Sequence, residues 1–212
     1  MAVLSGSHVK RDQFLLIYSW HAGRTLLKAE QGDAPNSRVA ECIIVGGGEK
    51  GMGLDITILV GTMTGTAEMV AQEVQQALEA AGHRATIRMM DGLDASVFEG
   101  GGTFLICTST YGQGDVPDNA QALFSSLEGQ KPNLTGVRYG LIALGDRTYK
   151  DTYCHGGMRF DKLLAELGAK RAGEILMHDA SSGALPEELA AQWVVPWVEQ
   201  HLASSSSSSE MA

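Results

Sequence analysis

Thr62, Thr64 and Thr66 alternate along residues 61–67 (GTMTGTA), setting three hydroxyls on one short loop together with Met63, Gly65 and Ala67. Such a loop suits a phosphate monoester. Hydroxyls donate to the phosphate oxygens, and the backbone N–H groups from Met63 to Ala67 can converge as an anion nest at the positive end of a following helix. The loop holds no Lys or Arg and no G-K-[ST], which excludes the nucleoside-triphosphate P-loop with its lysine and magnesium-bound hydroxyl. Taken alone, the stretch also reads as an ordinary strand-to-helix turn with Thr66 as N-cap.

A second glycine-rich turn lies upstream. Residues 46–51 spell G-x-G-x-x-G after an apolar run at 42–45, the outline of a dinucleotide site. That motif needs a helix N-terminus to receive the pyrophosphate and an acidic residue about 20 positions later. Residues 54–60 (LDITILV) start a strand instead, so the dinucleotide reading is rejected.

Two further loops carry aromatic and hydroxyl groups. Residues 108–119 (TSTYGQGDVPDN) place Ser109, Thr110 and Tyr111 beside Gly112 and Gly114, where the backbone can turn over locally. Residues 144–157 (LGDRTYKDTYCHGG) bring Leu144, Gly145, Asp146, Tyr149, Tyr153 and Cys154. Opposed loop aromatics can sandwich a flat ring, and such stacking contributes about 0.5–1.5 kcal/mol beyond area burial. A single loop tyrosine reads more simply as packing.

Short buried strands must deliver these loops. Residues 55–60, 103–109 and 139–144 are nearly continuous apolar runs, as parallel strands covered on both faces require, and each leads into one of the three loops. After the first loop, Val70, Val74 and Leu78 recur at helical spacing and Gly82 supplies a stop. Pro117 and Asp118 start another helix. Residues 84–89 and a segment around 171–177 complete five strands alternating with helices, which predicts a parallel α/β sheet with right-handed crossovers. Ligands of such sheets bind beyond the carboxyl ends of the strands, where the loops after the first, third and fourth strands converge. Trp193 and Trp197, four apart in the last helix, read as core anchors, and Pro196 between them is expected to kink or split that helix.

The 212 residues are 44% hydrophobic, enough for one sizeable core. Residues 54–203 carry 10 basic and 19 acidic side chains, which equals the net charge of −9 for the whole chain. Acidity on the folded part argues against nucleic acid and anionic membranes and suits docking to a basic protein face. Cys42, Cys107 and Cys154 are odd in number and lack C-x-x-C spacing, so they read as reduced thiols of a cytoplasmic protein. The six histidines form no H-x-x-x-H pair, and no metal is expected. The apolar run 14–20 is too short to span a bilayer and lacks a convincing signal-peptide cleavage site. Residues 1–51 show no sustained period and read as a disordered extension; 204–212 read as a disordered serine-rich tail, leaving 52–203 as the domain. The GGEKG before Met52 requires a purine-rich message directly upstream of an ATG, like a bacterial ribosome-binding site, and predicts Met52 as the start of translation.

Taken together, GTMTGTAE, STYGQGDVPDNA and LGDRTYKDTYC resemble the three FMN loops of the flavodoxin family, in order and at matching spacing, over residues 54–202. The likeness is to short-chain, MioC-type members and to the FMN domains of sulfite reductase and related diflavin reductases. It implies a three-layer, doubly wound sheet of five parallel strands in the order 2-1-3-4-5. By position, Thr62, Met63, Thr64, Gly65, Thr66 and Ala67 would hold the FMN phosphate. Ser109, Thr110, Tyr111, Gly112 and Gly114 would flank the flavin on one side, and the loop from Leu144, Gly145 and Asp146 through Tyr149 and Tyr153 to Cys154 would line the other. Tyr111 and Tyr149 would stack, with Tyr153 competing because the loop is one residue longer than in sulfite reductase-type domains. Gly112 would turn its peptide toward N5 of the half-reduced flavin, and Asp179 matches an acidic position near the flavin of diflavin reductases.

The implied function is a monomeric FMN electron carrier that takes electrons from a separate NAD(P)H-dependent flavoprotein reductase. It would pass them singly to an acceptor enzyme docked on the acidic face. Asp115, Asp118, Asp146 and Asp151 would oppose charge added to the flavin; at an effective dielectric near 20, a charge about 8 Å away contributes roughly 2 kcal/mol before screening. The alternatives are an NAD(P)H:quinone oxidoreductase of the same fold, an FMN subunit of a larger reductase, and a flavin-free receiver domain. The last is disfavoured because Gly61 and Thr62 stand where it needs an acidic pair.

Overall fold

The computed structural model describes residues 53–202, so the expectations for residues 1–51, Met52 and the serine run lie outside the described residues. The elements, in chain order, are β1 (Asp55–Gly61), α1 (Thr66–Ala80), β2 (Arg84–Met89), β3 (Gly102–Ser109), α2 (Asp118–Gln130), β4 (Val137–Gly145), α3 (His155–Glu166), β5 (Lys170–Arg171), β6 (Leu176–Asp179) and α4 (Pro186–His201). Single 3-10 turns occupy Ala95–Phe98 and Ala180–Ser182. Every strand pairing is parallel, in the order β2-β1-β3-β4-β5, with β6 also on β4.

Helices cover both faces, and the strands supply both cores by alternation. In β3, Phe104 and Ile106 face α2 and α3, whereas Leu105 and Cys107 face α1 and α4. In β4, Tyr139, Leu141 and Ala143 take the first side and Ile142 and Leu144 the second. Burial on both faces is why these strands read as unbroken apolar runs. Val70, Val74 and Leu78 are fully buried along α1, and each contributes about 1.5–3 kcal/mol of apolar burial.

The fifth strand departs from expectation because it is split. Tyr139 pairs with Arg171 and Ile142 with Leu176, so four residues of the edge segment stand opposite two of β4. Gly173 turns the chain at φ +71°. The indole of Trp197 fills the space beside the interruption: its Nε1 donates to the carbonyl of Ala172 at 2.6 Å, and a Cβ on Gly140 would lie 2.4 Å from its ring. Pro196 does not split α4, which runs through it. Trp197 is buried and stacks on the half-buried Trp193 at 5.4 Å between ring centres.

The connection after β1 leads outward to β2, and the one after β3 leads the opposite way to β4. This reversal of winding opens a crevice at the carboxyl ends of β1 and β3.

Candidate functional site

The turn after β1 is braced from within. Gly65, at φ +88°, is the N-cap of α1, so Thr66 is the first helical residue and not the cap. Thr62 Oγ1 accepts the Gly65 N–H at 2.9 Å, and the Thr62 N–H donates to Asn119 Oδ1 at 2.9 Å. These bonds use two of the loop's donors internally. The N–H groups of Met63, Thr64, Thr66 and Ala67 have no protein acceptor, and the Thr64 and Thr66 hydroxyls stand 3.4 Å apart. Four free N–H groups and two hydroxyls at the positive end of α1 suit an anion without any basic side chain.

The loop after β3 is a tight hairpin. Tyr111 and Asp115 exchange backbone hydrogen bonds at 3.0 and 2.8 Å around Gly112 (φ +53°) and Gly114 (φ +96°). Its base rests on the start of α3, where the Gly156 N–H donates to Thr110 Oγ1 at 3.1 Å. A Cβ on Gly156 would fall 2.6 Å from the Ser109 carbonyl, so only glycine allows this approach. Arg159 holds the hairpin from the side through its 2.8 Å ion pair with Asp115. Asp115 thus carries a cationic partner, Arg159.

The loop after β4 starts with an Asx turn. Asp146 Oδ1 accepts the N–H and hydroxyl of Thr148 at 2.8 and 2.6 Å, which turns Tyr149 outward to 68% exposure. Tyr153 is placed differently: it is half-buried against the α2/α3 core, with the Arg147 guanidinium 5.1 Å above its ring. Cys154 is fully buried, its thiol donating to the Ala143 carbonyl at 3.2 Å, and burial pushes that thiol up to about 11.

A fourth segment, after β6, completes the wall. Asp179 Oδ1 accepts the N–H of Arg147 and of Ser181, both at 3.0 Å, and the Ser181 hydroxyl at 2.7 Å. The Arg147 and Ser181 hydrogen bonds hold its carboxyl below the usual carboxylate range. Buried His178 meets the Ala184 carbonyl through Nε2 at 2.9 Å and fixes the return of the chain toward Pro186.

These segments enclose a cleft of about 560 Å³ lined by Thr64, Thr66, Ser109, Thr110, Tyr111, Gly112, Leu144, Gly145, Asp146 and Tyr149 among the expected residues. Thr62, Met63, Gly65, Ala67, Gly114, Tyr153, Cys154 and Asp179 are not in its wall. Of these, Thr62 and Gly65 shape the anion loop, Ala67 is buried under it, and Gly114 closes the hairpin. Met63 Sδ accepts the Asp118 N–H at 3.3 Å, and Asp179 ties two cleft loops together. Thr152 falls inside the expected loop from Leu144 to Cys154, whereas His178, Ala180, Ala184 and Pro186 line the cleft without having been expected there. Nothing in the order of residues 176–186 marks them as a wall.

The wall suits a flat group carrying a phosphate. The anion loop is at one end, Tyr111 and Tyr149 stand 51% and 68% exposed at the mouth, and the buried Ser109 Oγ has no hydrogen-bond partner in the protein. The Tyr153 hydroxyl is likewise buried without a partner, but of the two only Ser109 lines the cleft, where a polar ligand atom would suit its hydroxyl. No cluster of three or more His, Cys, Asp or Glu suited to a metal occurs among the described residues. No helix among them is long and apolar enough to cross a membrane.

The family model described as flavodoxin matches residues 58–193. The chain is 43% identical over 146 residues to Flavodoxin YqcA of Escherichia coli, covering 68% of this chain and 95% of that protein. It is 40% identical over 147 residues to Protein MioC of the same organism, covering 68% and 96%. Among solved structures, a cysteine-to-alanine mutant of flavodoxin from Pseudomonas aeruginosa superposes with a TM-score of 0.62 at 37% identity, over 69% of this chain and 97% of that one.

Proposed function

Because this chain belongs to the flavodoxin family, we propose that it is an FMN-binding electron carrier and that residues 52–203 are its FMN domain. The observation that carries the reading is the meeting, in one cleft, of an anion loop without basic side chains and two exposed tyrosines. The free N–H groups of Met63, Thr64, Thr66 and Ala67, with the Thr64 and Thr66 hydroxyls, receive the FMN phosphate. Tyr111 and Tyr149 cover the isoalloxazine ring, and Ser109 Oγ donates or accepts within the cleft. FMN bound there supplies one-electron chemistry, and the protein supplies binding, orientation and electrostatics.

Gly112 adopts positive φ at little cost, so its peptide is free to turn and offer either C=O or N–H to a neighbour whose protonation changes. The exposed Asp118 and Asp151 present negative charge beside the cleft and disfavour further negative charge inside it. The same acidity suits docking to basic faces of a separate NAD(P)H-dependent reductase and of an acceptor enzyme in the cytoplasm, with the carrier monomeric. No side chain of the cleft is needed as acid, base or nucleophile, so the protein carries electrons and turns over no substrate of its own.

The test is the visible spectrum of the purified full-length protein during stepwise dithionite reduction, with the released chromophore identified. FMN released in a 1:1 ratio, and NADH oxidised only when a reductase is added, is the expected result. A colourless protein that also refuses added FMN overturns the reading.

A further inference from the structure

Asn119 lies on α2, yet its side chain serves the loop after β1, 57 residues earlier. Its Oδ1 accepts the Thr62 N–H at 2.9 Å, and its Nδ2 donates to the Val60 carbonyl at 3.3 Å and to Asp91 Oδ2 at 3.2 Å. The partners fix the amide orientation: the oxygen faces an N–H, and the nitrogen faces a carbonyl and a carboxylate. Next to it the Asp118 N–H donates to Met63 Sδ at 3.3 Å. The start of α2 and the anion loop are therefore bonded to each other in both directions.

We infer that Asn119 is the positioning residue of the anion loop and confers selectivity for a phosphorylated flavin over its dephosphorylated form. The inference rests on the FMN reading above. Thr62 is the pivot of the loop, because its Oγ1 accepts the Gly65 N–H that sets the turn. With its N–H held by Asn119, the donors of Met63, Thr64, Thr66 and Ala67 keep a common focus. Without that bond Thr62 swings and the focus is lost. The ring-covering tyrosines have other supports, the Asp115 bridge for Tyr111 and the Asp146 turn for Tyr149, so they do not depend on Asn119. No apolar residue supplies the acceptor and donor together, and aspartate would set a second oxygen against the Val60 carbonyl and the Asp91 carboxylate.

The experiment compares FMN, riboflavin and inorganic phosphate binding to the flavin-stripped full-length protein and its variants. In the wild type, FMN binds more tightly than riboflavin. Asn119→Ala is expected to weaken FMN about tenfold while riboflavin changes less than about twofold, with faster amide exchange at Thr62 and weaker competition by phosphate. If Asn119→Ala fails to fold, Asn119→Asp carries the same test, with an expected loss at least as large. A variant that keeps the wild-type FMN-to-riboflavin ratio overturns the inference, whether both affinities are unchanged or fall together. A wild type that binds neither flavin overturns the proposed function itself, and a wild type that binds both equally overturns the inference alone.

Discussion

Arg159 Nη1 sits 2.8 Å from Asp115 Oδ1, while Asp115 Oδ2 lies 3.7 Å from where a Gly112 side chain would begin. The guanidinium also lies 4.9 Å above the Phe124 ring, which anchors it to α2. One cation thus holds the hairpin that lines the cleft and cancels the carboxylate nearest its glycine. Removing the cation leaves that negative charge unopposed. In the FMN-loaded protein, Arg159→Gln is expected to lower the reduction potential by a few tens of millivolts, Asp115→Asn to raise it, and the double variant to return close to wild type. Spectroelectrochemistry of the three variants measures this, and equal shifts of one sign would contradict it.

Asp179 predicts an acid-dependent contribution to stability. Its folded pKa lies below its ordinary value because the ionised carboxyl accepts from Arg147 and Ser181. The stabilisation is therefore fully present above the unfolded carboxylate pKa, about 3.9, and lost as pH falls through the lower folded value. Asp179→Ala is expected to melt below wild type from neutral pH down to about pH 5. The gap should close in stronger acid. Melting curves across that range check it, and a gap that widens in acid would refute the assignment.

Gly140 and Trp197 form a steric pair. A Cβ at position 140 would stand 2.4 Å from one ring carbon of Trp197 and 2.7 Å from another, and the indole cannot withdraw without giving up its bond to Ala172. Gly140→Ala is expected to cost about 1–3 kcal/mol by overpacking. Trp197→Phe leaves the Ala172 carbonyl unpaired and is expected to cost about 1–3 kcal/mol. Chemical denaturation of both variants measures the losses.

Cys107 and Cys154 should be inert in the folded protein. Burial raises both thiols, Cys154 to about 11 and Cys107 further, so thiolate is scarce at neutral pH. Brief alkylation followed by peptide mapping is expected to leave both unmodified until denaturant is added. Modification of Cys154 in the native state at neutral pH would contradict its buried placement.

What the sequence alone determined was local or periodic in origin. Unbroken apolar runs marked β1, β3 and β4 because strands covered on both faces need them, and hydroxyl, glycine and aromatic residues crowded the loops that follow. Those patterns were enough for a parallel sheet with its ligand loops after β1, β3 and β4, and the resemblance of the loops to a known family supplied the sheet order and ten residues of the cleft wall. The tertiary structure decided what depends on partners far away in the chain. Tyr149 and Tyr153 are chemically alike and four apart, and only the closed layers pack Tyr153 against the α2/α3 core while leaving Tyr149 exposed. The split of the fifth strand follows from an indole 25 residues later, and the brace on Thr62 from an amide 57 residues away. Asp179 ties two cleft loops together because its Oδ1 accepts the N–H of both Arg147 and Ser181, partners that lie 32 and 2 residues away. Periodicity records which face of an element is buried; which side chain meets which is settled only when the layers close.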